Sequence, residues 1–349
     1  MASIAVVSAN QLAENRLASR WMPAAVHLTI GIHLMSPASV TAPIPLCIIG
    51  YGEAGRIFAQ GLMAGGQFTV TAFDLQLTAA GDAQVATAMQ VAATAAGVRL
   101  HATLAAAMAG ARVIISAVTA NAALDVMQQV AALLQEQQPS PPPFVMDINS
   151  ISPAAKQRGF ALISAAGAHY VEAAVMASIP PCGLAVPILL GGPHTTSFME
   201  LMAGSGMRMR TAADEIGIAS AIKMCRSVMI KGLEALTIES LFAARHYGVE
   251  EQVIASLSET FPGIDWPQQA DYLVSRVVQH GRRRAAELRE VAHTVDDAGL
   301  TPWLSDAIAQ RQDWMADQVQ AGIVSKTEKQ WRVVADTLTP ARANNQSSG

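Results

Sequence analysis

Between Pro45 and about Gly192 the chain alternates short β-branched or aromatic runs with alanine-rich stretches of helical length, and this alternation limits the fold most. The strand-like runs are 46–49, 68–73, 98–101, 112–117, 144–148, 170–175 and 186–190. Helical stretches at 56–63, 83–95 and 122–135 separate several of them, and the proline-rich run 138–143 ends one helix before the next strand. Strands spaced by helices lie parallel, because each return crossing consumes a helix that then covers one face of the sheet. After about Thr211 the strand-like runs stop. Thr211 stands three residues before Asp214, a capping-box spacing, and the segment closes at Gly248. One helix of about 33 residues is expected there. It is apolar nearly all round, so it is expected to be buried.

The length of 349 residues accommodates two domains, and with 51% apolar and 14% charged residues a sizeable core is expected. Net charge is −4 with acids and bases interspersed, which argues against nucleic-acid or membrane-surface partners. The one basic run is Arg282–Arg284. Cys47, Cys182 and Cys225 form neither a disulfide framework nor a metal spacing, so a cytoplasmic protein is expected, without a metal. Residues 1–43 differ from the rest. The apolar stretch 21–35 follows Arg16 and Arg20 but begins late for a signal peptide, carries His27 and His33, and is too short to span a bilayer. A disordered extension, or sequence upstream of a start at Met35, is expected. Residues 339–349 are expected to be a disordered tail.

The first strand-like run leads into Gly50-Tyr51-Gly52-Glu53-Ala54-Gly55, a G-x-G-x-x-G pattern between a strand and a helix. The first glycine permits a tight turn, the second lets backbone approach a phosphate, and the third allows close strand–helix packing. The following helix N-terminus offers free N–H groups to a pyrophosphate. Asp74 ends the second run, where a carboxylate accepts hydrogen bonds from ribose hydroxyls and repels a 2′-phosphate. NAD is therefore expected, with NADP the alternative. Ser116, Thr119 and Asn121 sit at the carboxyl end of the fourth run, where open α/β sheets bind ligands, and Thr119 is the better cofactor neighbour. The fold expected is an α/β Rossmann doubly wound parallel sheet over 44–210, followed by an all-α C-terminal domain over 211–338.

Only five lysines stand against eighteen arginines, and Lys223 and Lys231 both fall within the apolar helical segment. A lysine desolvated by such neighbours loses basicity and becomes usable in acid–base chemistry near neutral pH. The alternative is a lysine whose stem covers apolar surface while its amine reaches water. Ser227 shares the helix face of Lys223, one turn on.

These features together resemble the β-hydroxyacid dehydrogenase family, which includes 3-hydroxyisobutyrate dehydrogenase, tartronate semialdehyde reductase and 6-phosphogluconate dehydrogenase. The resemblance spans roughly 45–330, is strongest in the N-terminal half, and in the C-terminal half points to a divergent bacterial branch. It implies that Gly50, Gly52 and Gly55 form the dinucleotide loop and that Asp74 selects NAD. It also implies that 147–153, "DINSISP", places Asn149 and Ser150 near nicotinamide and substrate. Lys223 matches the catalytic lysine, which exchanges a proton with the substrate hydroxyl while hydride moves to or from the cofactor; Ser227 or Asn149 would hold the substrate oxygen in line. The family's D-A-P-V-S-G-G substrate loop is altered here to 172–178, "EAAVMAS", with Met176, Ala177 and Ser178 at the serine and glycine positions. Its K-x-x-N-N becomes Lys223-Met224-Cys225-Arg226-Ser227.

The function expected is an NAD-dependent oxidoreductase acting on a β-hydroxy acid or related small carboxylate, working as a homodimer. Alternatives are an imine reductase or a decarboxylating sugar-acid dehydrogenase on the same scaffold, or a non-catalytic dinucleotide-binding protein. His280 and Arg282–Arg284 could meet an anionic substrate, but a solvated basic helix face is the preferred reading. His101, His169 and His194 show no metal spacing, and no G-x-S-x-G supports a serine hydrolase.

Overall fold

The computed structural model describes residues 42–78 and 81–339. The expectations for 1–41 and for 340–349 lie outside the described residues.

Strands β1 (Ile44–Ile49), β2 (Phe68–Phe73), β3 (Arg99–Leu100), β4 (Val113–Ser116), β5 (Phe144–Asp147), β6 (His169–Val175), β7 (Pro187–Gly191) and β8 (Arg208–Ala213) form one sheet in the order 3-2-1-4-5-6-7-8. The first six run parallel; β7 is antiparallel to β6, and β8 follows β7. The order reverses between β1 and β4, which opens a crevice at their carboxyl ends. The β1 and β4 strands alternate perfectly between two cores. Leu46, Ile48, Val113 and Ile115 pack on one face with Phe58, Ala59 and Leu62 of helix α1 (Glu53–Ala64). Cys47, Ile49 and Ile114 pack on the other. That second face is covered by α3 (Leu104–Met108), α4 (Ala123–Gln137) and α5 (Pro153–Ala165), whereas α2 (Ala83–Ala95) lies beside β3. Burial on both faces is why these strands read as continuous apolar runs.

After β6 come α6 (Ile179–Cys182), α7 (Thr195–Leu201) and, beyond β8, α8 (Ile218–Tyr247), α9 (Glu250–Thr260), α10 (Trp266–Asp297), α11 (Trp303–Gln320) and α12 (Trp331–Leu338). Ile238, Leu241 and Phe242 of α8 pack with Val274, Val277 and Val278 of α10, Met315 of α11 and Trp331 of α12. Nearer the sheet, Arg284 of α10 and Glu234 of α8 form a buried ion pair, and Gln312 of α11 donates to Glu234 at 2.9 Å.

Two expectations about α8 need correcting. Thr211 does not cap it, because 208–213 pairs in parallel with β7 as an eighth strand and the helix starts at Ile218. The cap comes instead from buried Glu172 on β6, whose carboxylate accepts from the N–H groups of Gly217 and Ser220, both at 2.6 Å. A carboxylate is favoured there because it meets both the free N–H groups and the positive end of the helix dipole. Nor is α8 buried all round: Ile222, Met229, Ile230, Leu233 and Leu236 form an exposed stripe. Its C-terminus does close at Gly248, which adopts the left-handed conformation.

Candidate active site

The glycine loop lies between β1 and α1, at the crevice. Gly50 has φ +90°, and a Cβ there would sit 2.5 Å from the Ala117 carbonyl oxygen. A Cβ on Gly55 would sit 1.8 Å from the Gly50 carbonyl oxygen, so the turn and helix touch backbone to backbone. A Cβ on Gly52 meets no protein atom within 4 Å. The three positions thus match turn, ligand approach and close packing. Tyr51 is buried, whereas Glu53 and Ala54 in the first helical turn retain exposure. No side chain caps the α1 N-terminus, which leaves its N–H groups free to meet an anion. A dinucleotide pyrophosphate fits this cradle.

Asp74 follows β2, next to that loop. Its two carboxylate oxygens accept from Tyr51 N at 2.7 Å and Gln76 N at 2.9 Å. Besides any ribose contact, this residue therefore fixes the glycine turn. Thr119 is exposed beyond the end of β4 and starts the short turn 120–122.

The neighbouring strand end carries the next group of residues. Asn149 is buried, and its amide is already engaged: Oδ1 accepts from Val118 N at 2.7 Å, and Nδ2 donates to Ser116 Oγ at 2.9 Å. The structure places Asn149 in the floor of the crevice as a brace between β4 and β5. Beneath it, fully buried Lys156 pairs with Asp147 at 2.9 Å, and Tyr170 donates to the same carboxylate at 2.8 Å. Ser150 stands above this floor.

From α8, the Lys223 amine donates to Ser150 Oγ at 2.5 Å. Part of the Lys223 stem is open, yet the amine is closely surrounded by protein. Burial lowers its pKa to about 8; Glu287 opposes the shift, and Lys231, Lys156 and Arg283 reinforce it. Ser227 follows one turn later, partly exposed. Lys231 is itself buried and paired with Glu287 at 2.8 Å. Burial pushes the Glu287 carboxyl up, but Lys231, Arg283 and Lys223 more than compensate and hold it at about 2.

The altered substrate loop follows β6. Met176 packs with Ala174, Leu189 and Ala219, tying the loop to the first turn of α8. Ala177 is exposed, and Ser178 Oγ accepts from Arg276 of α10 at 3.1 Å. The basic run on α10 is spent elsewhere. Arg282 pairs with Asp313 and Asp317, Arg283 with Glu287, and Arg284 with Glu234. Glu172, Arg276 and Glu287 escaped the sequence reading. An acid inside the apolar run 170–175 was the one available signal, and it pointed to Glu172 alone.

The strands carrying Gly50, Thr119 and Ser150 are β1, β4 and β5, successive neighbours in the sheet. The crevice at their carboxyl ends therefore joins a dinucleotide cradle to a lysine of depressed basicity. Among the described residues no group of three or more His, Cys, Asp or Glu side chains is arranged to hold a metal ion.

Comparison with known proteins agrees with the fold and with dinucleotide binding by its first part. Residues 45–196 match the NAD binding domain of 6-phosphogluconate dehydrogenase, and 244–315 match a domain of unknown function, DUF1932. A conserved hypothetical protein from Sinorhizobium meliloti 1021 is 33% identical, with a TM-score of 0.64 over 84% of this chain and 97% of that one. A second conserved protein, described as structurally similar to 3-hydroxyacid dehydrogenases, is 28% identical, with a TM-score of 0.61 over 80% and 99% of the two chains. The 3-hydroxyisobutyrate dehydrogenase of Mycobacterium tuberculosis shares the fold, at 18% identity and a TM-score of 0.63 over 85% and 99%. The chain joins an NAD-binding domain of the 6-phosphogluconate dehydrogenase type to a C-terminal DUF1932 domain, on a fold shared with 3-hydroxyisobutyrate dehydrogenases.

Proposed function

We propose that this protein is an NAD-dependent oxidoreductase acting on a β-hydroxy acid or a related small carboxylate, with Lys223 as general acid and base. The observation that carries the reading is the Lys223 amine, held near neutral pKa against Ser150 beside the dinucleotide cradle. The nicotinamide, when bound, accepts or supplies the hydride. Lys223 takes the substrate's hydroxyl proton in oxidation and returns it in reduction. Ser150 orients the amine, and Ser227 lies one turn along the same helix face to steady the substrate oxygen. Asn149 acts from below by holding the strand ends in register. Asp74 supports NAD over NADP, since a 2′-phosphate would meet its carboxylate and the segment 75–78 offers no cation.

A homodimer belongs to the same reading. The exposed stripe on α8 begins at Ile222, beside Lys223, and Met229 and Leu236 are 67% and 66% exposed. Apolar patches of this kind mark association surfaces, and a second copy covering this one would border the site.

The test follows reduced-nicotinamide absorbance of the purified protein with NAD and NADP separately. The panel holds 3-hydroxy acids, sugar acids, aldehyde acids and cyclic imines. Turnover of a hydroxy acid or aldehyde acid, faster with the unphosphorylated cofactor, is expected. Turnover of imines alone, or cofactor binding without turnover on any member, would count against the reading.

A further inference from the structure

Helix α10 carries Arg276, His280, Arg283, Glu287 and Glu290 at alternating spacings of four and three residues, which puts all five on one face. Contacts fix where that face lies. Glu290 accepts from Ser152 N at 2.8 Å, just beyond the Asn149–Ser150 segment. Glu287 pairs with Lys231, and Arg276 donates to Ser178 in the substrate loop. The face therefore runs across the sheet's carboxyl edge, from the segment after β5 to the loop after β6, and forms one wall of the crevice.

The cations on and beside it are not equivalent. Arg282, Arg283 and Arg284 each pair with carboxylates. Among the described residues Arg276 has no carboxylate partner; the neutral Ser178 hydroxyl takes one of its donors and leaves the rest of the guanidinium fork available. Ser178 also stands where the family resemblance puts a glycine, and Met176 where it puts the serine. The altered loop thus loses a hydroxyl at one position and acquires, at another, a hydroxyl attached to a half-buried cation. His280, one turn from Arg276, is held neutral by burial and then by Arg276, Arg283, Arg284 and Lys326, with its pKa near 4. The end of the wall around Arg276 and His280 is therefore electropositive, while Glu287 and Glu290 occupy its other end.

We propose that Arg276 is a specificity-determining residue that receives a second anionic group of the substrate, at the end away from the reacting carbinol carbon. The substrate class is then a hydroxy acid bearing a distal carboxylate or phosphate, not a simple monocarboxylate. This rests on the oxidoreductase reading above and adds to it. Eleven residues, about 16 Å of rise, separate Arg276 from Glu287, the α10 side chain that acts most strongly on Lys223. The extended Arg276 and Lys223 side chains with a substrate of roughly five carbons between them are long enough to bridge an interval of that size.

The test is calorimetric titration of the full-length protein, with and without NAD, using 3-hydroxybutanoate, 3-hydroxyglutarate and 3-hydroxy-4-phosphonooxybutanoate. At least one dianion is expected to bind about tenfold more tightly than the monoanion, the size of one charge-assisted contact. Whichever dianion shows the preference identifies the distal group as carboxylate or phosphate. Arg276→Met should reduce the preference to within about twofold, and Arg276→Lys, which keeps the charge and most of the stem, should retain part of it. Equal binding of all three to the wild-type protein would overturn the proposal. So would a preference that survives in folded Arg276→Met, or one that Arg276→Lys loses as completely as Met does. Arg276-dependent preference without turnover would uphold this subsite while removing the oxidoreductase reading. Equal turnover of monoanion and dianion would do the reverse.

Discussion

At the scale of single residues, the site depends on charges that oppose one another across short distances. Lys223 loses basicity through burial, and Glu287 restores part of it. Catalysis of oxidation needs the neutral amine, so its rate should rise with pH through about 8; reduction needs the protonated amine and should fall over the same range. In Glu287→Gln the carboxylate that supports the ammonium form disappears and Lys231 loses its partner. Loss of that carboxylate lowers the Lys223 pKa, so the rising limb of oxidation should move to lower pH; an unmoved profile would separate that limb from Lys223. The glycine loop offers a second residue-level test. Gly52→Ala places a methyl against no protein atom and at φ −71°, so thermal stability should hold within the equivalent of about 0.5 kcal/mol while NAD affinity collapses. Gly55→Ala drives its methyl into the Gly50 carbonyl and should destabilise the fold itself by more than about 4 kcal/mol. Calorimetry with NAD and a melting curve on each variant read the two effects.

At the scale of elements, the placement of Lys223 depends on where α8 begins. Glu172 binds the first turn of that helix to β6, an interior strand of the sheet, through two buried N–H groups. Truncation by Glu172→Ala leaves both unsatisfied and should cost about 3 kcal/mol in a urea titration. This arrangement also shows what was legible in the sequence. Seven of the eight strands, the glycine turn and the Gly248 stop are local in pattern, and each stood in the sequence as a run, a spacing or a single residue. The start of α8 was misplaced because Thr211 and Asp214 mimic a cap, while the real capping carboxylate is 45 residues upstream of Gly217. The eighth strand was missed because its residues are half-exposed on the outer edge and lack a strong apolar run. Within the site, Lys223 was visible as a rare residue in apolar surroundings. Its links to Ser150 and, through Lys231, to Glu287 join positions 73 and 56 residues apart, and no short-range pattern encodes them. Arg276 and Ser178, 98 residues apart, are hidden for the same reason.

At the scale of the whole molecule, the crevice is assembled from both halves: the sheet supplies the cradle and floor, while α8 and α10 supply the Lys223 amine and a charged wall. No helix among the described residues is long and apolar enough to cross a membrane. The proposed homodimer would cover the exposed stripe on α8. Light scattering should give twice the chain mass for the wild-type protein, and Leu236→Asp should shift it toward the single-chain value. A wild-type monomer at micromolar concentration would remove that part of the account. The central claim is that this crevice performs hydride transfer with Lys223 handling the proton. Its most direct test compares single-turnover rate and NAD affinity in wild type and Lys223→Ala, using the best substrate from the cofactor-linked screen. A rate loss of at least about a hundredfold is expected, with NAD affinity within about twofold of wild type. A variant that turns over at the wild-type rate would contradict the claim.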